Sequence, residues 1–245
     1  APDRTAPYVG EAAFTHKGGL HVSAVQKDPA TYEHVDPEIV GNARHIVVSD
    51  QAGRSNILSR LRDAGIEVDS KDPRISRLVE DVKAREFEGY AYDGAEASFE
   101  LLARRALGAV PEFYRVESFR SEVERRFNAR GEVTTISQAV VKMKVGETHS
   151  MQVAEGNGPV NALDDAMRKS LLPKYPELEA MRLVDFKVRI LTPQQATAAV
   201  TRVMIESSDD TGLRWGTVGI SPNIIDAAYE ALDDAIVFKL LQSRS

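Results

Sequence analysis

Apolar residues recur along this chain first at helical spacing and then at every second position, and the switch falls just after Phe113. Residues 55–64 put Ile57, Leu58 and Leu61 on one helical face, and Gly65 is placed to end that helix. Residues 72–86 predict a second helix, with Ile75, Leu78, Val79 and Val82 spaced by three and four. Residues 94–107 predict a third, its apolar content being Ala97, Leu101 and the run from Ala103 to Leu107. Beyond Phe113, Ala139, Val141, Met143 and Val145 alternate with Val140, Lys142 and Lys144. Val184, Phe186, Val188 and Ile190 alternate in the same way with Asp185, Lys187 and Arg189. Both read as strands with one face buried. Residues 200–207 and 214–218 predict two further strands, and residues 45–49 a short one. Before that the chain is loop-rich, with a polar stretch from His16 to His21 leading into a short helix, and with Asp28-Pro29 and Asp36-Pro37 as punctuation.

An internal repeat organises the second half. Gly156-Asn157-Gly158-Pro159-Val160-Asn161-Ala162 precedes one predicted helix, and 63 residues on, Gly219-Ile220-Ser221-Pro222-Asn223-Ile224-Ile225 precedes another. Each copy sets Gly or Ser at the cap and Pro at the first helical position, where a missing N–H is harmless. Val160, Leu163, Met167 and Leu171 form the face the first helix should bury, and Ile224, Ala228, Leu232 and Ile236 that of the second. The expected fold is therefore α+β. Residues 1–55 form a loop-rich subdomain and residues 56–112 a helical one, with Gly108 to Pro111 as the boundary. Residues 113–245 form two pseudo-symmetric βββα units.

Composition narrows the function. The 245 residues are 42% hydrophobic and carry a net charge of −6. No apolar run approaches the roughly 20 residues of a membrane span, no basic-then-apolar leader opens the chain, and no clustered Lys/Arg tract offers a phosphate footprint. A soluble, cytoplasmic protein without nucleic-acid or membrane partners is expected. Cysteine is absent, which excludes disulfides, thiolate metal sites and cysteine nucleophiles.

His16 and His21 are five residues apart across Gly18 and Gly19. A helical metal pair needs a spacing of three or four, so no metal site is expected. Such a loop suits either a mobile general acid or base or a solvated histidine. The two helix starts, at Gly156–Asn161 and at Gly219–Asn223, aim backbone N–H groups and a positive dipole end outward, which suits a carboxylate. Gly156-Asn157-Gly158 is neither a P-loop nor a dinucleotide fingerprint. The charged run from Glu122 to Arg130 reads as a solvated strand edge or loop, and Asp93-Gly94 as a helix cap behind Tyr90 and Tyr92.

Longer strings carry a resemblance. The stretch from Ala13 through His16-Lys17-Gly18-Gly19-Leu20-His21 to Val25 is similar to the segment that follows the catalytic barrel in the isopropylmalate synthase family, and its His-Lys-Gly-Gly version resembles the citramalate synthase branch. Thr31 to Pro37, Val48 to Asn56, Tyr90 to Leu102, Gly156 to Ala162 and Trp215 to Asn223 extend the match over nearly the whole chain. The resemblance implies condensation of acetyl-CoA with pyruvate (or with 2-oxoisovalerate in the isopropylmalate branch) on a preceding (β/α)₈ barrel that holds a divalent metal. Such a barrel needs about 250 residues, so the chain is expected to be the part outside it, with no cofactor of its own and inactive alone. By the same resemblance His21 reaches a partner subunit's active site and Tyr32 assists there.

The repeated units match the family's regulatory domain, where an end-product amino acid, isoleucine or leucine, binds near a homodimer interface. Gly156, Gly158, Pro159 and Asn161 on one copy, with Gly219, Ser221 and Pro222 on the other, are the implied effector contacts. Asp185 is a candidate partner for the effector's ammonium. Residues 56–107 would couple that site to the His21 loop. A purely structural dimerisation module is the reading of a different class.

Overall fold

The computed structural model describes residues 6–10, 12–16, 24, 25, 27–46, 54–69 and 71–244. Two compact units divide the chain: Ala1–Gly94 with Leu102–Leu107, and Ala95–Leu101 with Gly108–Ser245.

In the first unit the two Asp-Pro pairs open 3₁₀ turns, Pro29–Thr31 and Pro37–Val40, because each aspartate accepts the amide two residues on (Ala30 N to Asp28 Oδ1, Glu38 N to Asp36 Oδ1, both 3.1 Å). Strand β1 (Thr15–His16) pairs in parallel with β2 (His45–Ile46). Helix α1 (Arg54–Asp63) ends as its sequence requires: Gly65 adopts φ +68°, and the following amide of Ile66 returns to the Leu61 carbonyl at 2.7 Å. Asp72 caps helix α2 (Pro73–Glu88), and Arg54 ties it to α1 by donating to Ser76 Oγ at 2.6 Å and to the Asp72 carbonyl. Ile57, Leu61, Ile75, Leu78 and Val82 are buried, the stripe the three/four spacing predicts. Helix α3 (Glu96–Ala106) follows.

The second unit is two antiparallel sheets with one helix each. Strands β3 (Tyr114–Phe127), β4 (Val133–Val145) and β5 (Thr148–Gly156) lead to helix α4 (Pro159–Leu171); strands β6 (Arg182–Ile190), β7 (Thr201–Ser208) and β8 (Arg214–Ser221) lead to helix α5 (Ile224–Gln242). The fold class is α+β. Ala139, Val141, Met143 and Val145 of β4 are buried as their alternation predicts. The middle of α5 is enclosed on all sides: from Ala231 to Leu240, every residue except Asp233 is buried. Its Ala227/Ala231/Ala235 row, spaced by four, lies on β8. There Thr217 Oγ1 donates to the Ala231 carbonyl (2.7 Å) and Trp215 Nε1 to the Ala235 carbonyl (3.2 Å). Tyr229 and Asp233, about 200° round the helix from that row, meet β3. The Tyr229 ring centroid is 4.9 Å from that of Phe119, and Tyr114 Oη donates to Asp233 Oδ1 at 2.8 Å. Each fully buried Leu or Ile along α5 contributes about 2 kcal/mol.

Two expectations need correction. Val184, Val188 and Ile190 are exposed, although their alternation predicts a buried face. The reason is geometric: β6 is the outer strand of its sheet, and α5 packs on β7 and β8. A bulge at Val184 also shifts the phase, so that Leu183 rather than Val184 precedes Phe186 on the inner face. Ile224 is exposed as well, at the very first position of α5. The charged run 122–130 is the far half of β3 and its turn; there β3 and β4 continue past the end of β5 as a two-stranded ribbon.

Candidate functional site

A cavity of about 490 Å³ opens in the second unit between β3 and the start of α5. Its floor is Val116–Phe119 and Ser121, and its wall is Asn223, Ile225, Asp226 and Tyr229. Register explains the floor. Val116 pairs with Met143 and Ser118 with Lys142, leaving Glu117 as the extra residue of a bulge. The bulged carboxylate accepts from Lys142 Nζ (3.1 Å) and His149 Nδ1 (3.0 Å). Hydrogen bonding from Lys142, then the charges of Lys142 and His149, hold it below the usual carboxylate range.

The wall is set by capping. Asn223 Oδ1 accepts the amide of Ile225 at 2.9 Å, and the Asn223 amide donates to Ser221 Oγ at 3.0 Å, which fixes where α5 begins. Asp226 sits in the first turn, where a carboxylate complements the helix dipole. Burial, then the charge of Asp233, holds the Tyr229 phenol well above its ordinary range, so it stays neutral. One carboxylate, Asp226, stands at the cavity on the α5 side, with Val116, Phe119, Ile225 and the Tyr229 ring as apolar lining. The Glu117 carboxylate turns with Lys142 and His149 to the other face of the sheet, since Val141 and Met143 beside Lys142 are buried. That set fits a small molecule with a cationic amine and an aliphatic body.

The second helix start reaches the same strand: Ser121 Oγ donates to the Pro159 carbonyl at 3.5 Å. The other residues singled out in the sequence have structural tasks. At Gly156 a Cβ would lie 2.6 Å from the Ala162 nitrogen, and at Gly219 one would lie 2.1 Å from the Ala227 carbonyl, so both glycines let a helix press on its strand. Asn161 Oδ1 accepts the Asn157 amide (3.0 Å), closing the loop before α4. Gly158 caps α4 without a side chain, Pro159 occupies its first turn, and Pro222 lies between Ser221 and the Asn223 cap. Asp185 is half-buried on β6, paired with Lys187 and accepting the Phe186 amide, and is not among the residues lining the cavity.

Glu117, Asp226 and Tyr229 were not singled out from the sequence. A signal for the first was present. Tyr114, Val116 and Phe119 are spaced by two and then three, the break a bulge leaves in a strand, and Leu183, Phe186 and Val188 carry the same break.

In the first unit His21 lies outside the described residues. Tyr32 is exposed after the first 3₁₀ turn. His16 is not a free loop base: its Nε2 is 2.9 Å from Glu33 Oε1, and Arg44 donates to both oxygens of the same carboxylate, at 2.7 and 2.6 Å. Arg44, with His16 second, holds the buried Glu33 carboxyl below its ordinary value against the opposing effect of burial.

Comparison with known proteins gives two family matches. The LeuA allosteric (dimerisation) domain matches residues 93–240, and the homocitrate synthase post-HMGL domain-like family matches residues 8–88. An (R)-citramalate synthase of Geobacter sulfurreducens is 49% identical over 243 residues, 99% of this chain and 45% of that protein. Those of Aquifex aeolicus and Streptomyces coelicolor are 46% and 45% identical, over 98% and 99% of this chain and 44% and 45% of theirs. The chain therefore spans a little under half the length of the curated relatives it matches.

Proposed function

Since the chain belongs to the LeuA allosteric (dimerisation) domain family by its match over residues 93–240, we propose that it is the C-terminal communication and regulatory region of a citramalate synthase. The observation that carries this is the end-to-end similarity to (R)-citramalate synthases at 45–49% identity. The complete enzyme joins acetyl-CoA to pyruvate on a metal-holding barrel, and this region supplies control and a dimer contact. His21 and Tyr32 belong to the subdomain delivered to that barrel in the cytoplasm.

The effector is a branched-chain amino acid, isoleucine in this reading. The cavity between β3 and α5 supports it chemically. Its aliphatic lining accepts a branched side chain, Asp226 suits an ammonium, and the positive end of α5 suits a carboxylate. Inhibition is then a coupling free energy of about 1–3 kcal/mol between effector and substrate sites. The segment from residue 56 to 107 carries it, and α3 within that segment contributes residues to both units.

Calorimetric titration with L-isoleucine and then L-leucine tests the reading. Isoleucine should bind and leucine should bind at least about tenfold more weakly, a difference of about 1.4 kcal/mol. Tighter leucine binding would move the chain to the isopropylmalate branch, and silence from both would remove the effector. In the complete enzyme, deletion of residues 113–245 should abolish feedback inhibition while leaving turnover.

A further inference from the structure

We infer that the inner face of β6 is the surface on which a second copy of this chain docks. The inference rests on the dimerisation reading and assigns it a surface.

The first observation is an interrupted core. Phe186 and Val188 stand directly across from Ile205 and Val203 of β7. Those two partners are buried, at 1% and 0% exposure, whereas Val188 is 44% exposed and Ile190, two residues further, 57%. With Leu183 at 36%, one face of a nine-residue strand presents an apolar stripe continuous with the hydrophobic core. At about 3.3 Å per residue the strand is about 30 Å long. A core cut open at its margin is the character of an obligate interface rather than of a solvated surface.

The second observation is the broken pseudo-symmetry. β3 and β6 are the first strands of their units, and each carries a bulge near its start, at Glu117 and at Val184. On β3 the residue after the bulged segment, Phe119, lies under Tyr229 of α5. On β6 the matching Phe186 is half-buried at the core's margin, while Val188 and Ile190 beyond it are exposed, since α5 packs on β7 and β8. The two sheets have the same plan, but among the described residues the far half of the inner face of β6 stays exposed.

A second copy of the chain suits this surface best. The family matched by residues 93–240 is described as a dimerisation domain, and β6 lies within the match. The strand also suits a twofold axis. Its charges, Arg182, Asp185, Lys187 and Arg189, point to the other face of the strand, so two antiparallel copies of the Leu183, Phe186, Val188 and Ile190 stripe meet without burying a charge. The exposed Phe127 at the tip of the β3–β4 ribbon is the rival surface.

The test is sedimentation velocity of the chain across a hundredfold concentration range. Wild type should run at twice 26.9 kDa. The double variant Val188→Asp/Ile190→Asp should run as a monomer, its dimer Kd raised at least about 100-fold, with an unchanged circular dichroism spectrum. Phe127→Asp should remain a dimer. Hydrogen exchange supplies a test without substitutions: dilution of wild type through its dimer Kd should speed exchange in β6 and leave the first half of β3 unaltered. A dimeric wild type whose β6 variant and β6 exchange show no change overturns the inference while leaving dimerisation intact. A wild type that is monomeric throughout overturns both.

Discussion

Ser98 Oγ donates to Asp234 Oδ2 at 2.7 Å and accepts the backbone amide of Val218 at 3.0 Å, so one hydroxyl joins α3, α5 and the free edge of β8. All three groups are buried. The next outward amide of β8, that of Ile220, is taken by Glu230 Oε2 at 3.0 Å. These side chains satisfy an edge strand that would otherwise present open donors. Ser98→Ala removes a donor from a buried carboxylate and the acceptor from a buried amide, a loss of about 2–3 kcal/mol. Urea unfolding should report it as a lower midpoint with an unchanged slope.

The glycines of the repeat separate by what a methyl group would meet. Gly219→Ala drives a Cβ to 2.1 Å from the Ala227 carbonyl, a backbone atom that cannot turn aside. Separation of α5 from β8 should cost about 3 kcal/mol or more. Gly158→Ala meets nothing within 4 Å, and its φ of −167° is ordinary extended backbone. It should alter stability by no more than about 0.5 kcal/mol. Thermal melts of the two variants side by side check both, and a Gly158→Ala protein that fails to bind effector at full stability would locate ligand contact at that loop.

Much of the fold is written in local patterns. The stops at Gly65, the cap at Asp72 and the alternation through Ala139–Val145 each depend on a few neighbouring residues, and each appears where the pattern puts it. What depends on distant packing is not legible in this way. The alternation at Phe186, Val188 and Ile190 predicts which side of β6 is apolar but cannot say whether a helix is wide enough to cover it. The all-round burial of α5 follows from β3 lying against the side opposite β8. The cavity is half legible: the repeat announces a helix start but puts its cap at Ser221, two residues before the actual cap at Asn223, and the bulge at Glu117 shows as a spacing of three, but nothing local brings the two together.

Acid should act through Asp209. Its carboxylate is 2.7 Å from Lys239 Nζ, both side chains are largely buried, and Thr211 Oγ1 adds a bond at 2.6 Å. Lys239, then Thr211, pull its pKa from 3.8 down to about 2. A lowered folded value means the stabilisation is complete above about pH 4 and is lost as pH falls from there through 2. The pair therefore contributes up to about 2 kcal/mol, visible as an acid limb in the pH dependence of unfolding. Lys239→Met leaves the aspartate charged and buried without its cation. It should destabilise the domain by about 3 kcal/mol at pH 7 and flatten that limb. An unchanged limb in the variant would assign acid sensitivity elsewhere.

The cavity makes a prediction that distinguishes an ammonium-binding wall from a structural one. Asp226 lies in the first turn of α5 and lines the cavity. Asp226→Asn keeps the shape and removes the charge. Its structural consequence is confined to the helix dipole, about 0.3–1 kcal/mol. If the carboxylate holds the effector's ammonium, removing the charge-assisted bond should weaken L-isoleucine binding at least about tenfold. Ile225→Ala, which shortens the apolar wall, should weaken isoleucine by a smaller factor and narrow its advantage over valine, because the lost contact is with the end of the side chain. Titrations of both variants with isoleucine, valine and the desamino analogue 3-methylpentanoate decide the matter. The desamino acid should bind the wild type and Asp226→Asn equally. If Asp226→Asn binds isoleucine as wild type does, the ammonium lies elsewhere and the cavity loses its charged contact.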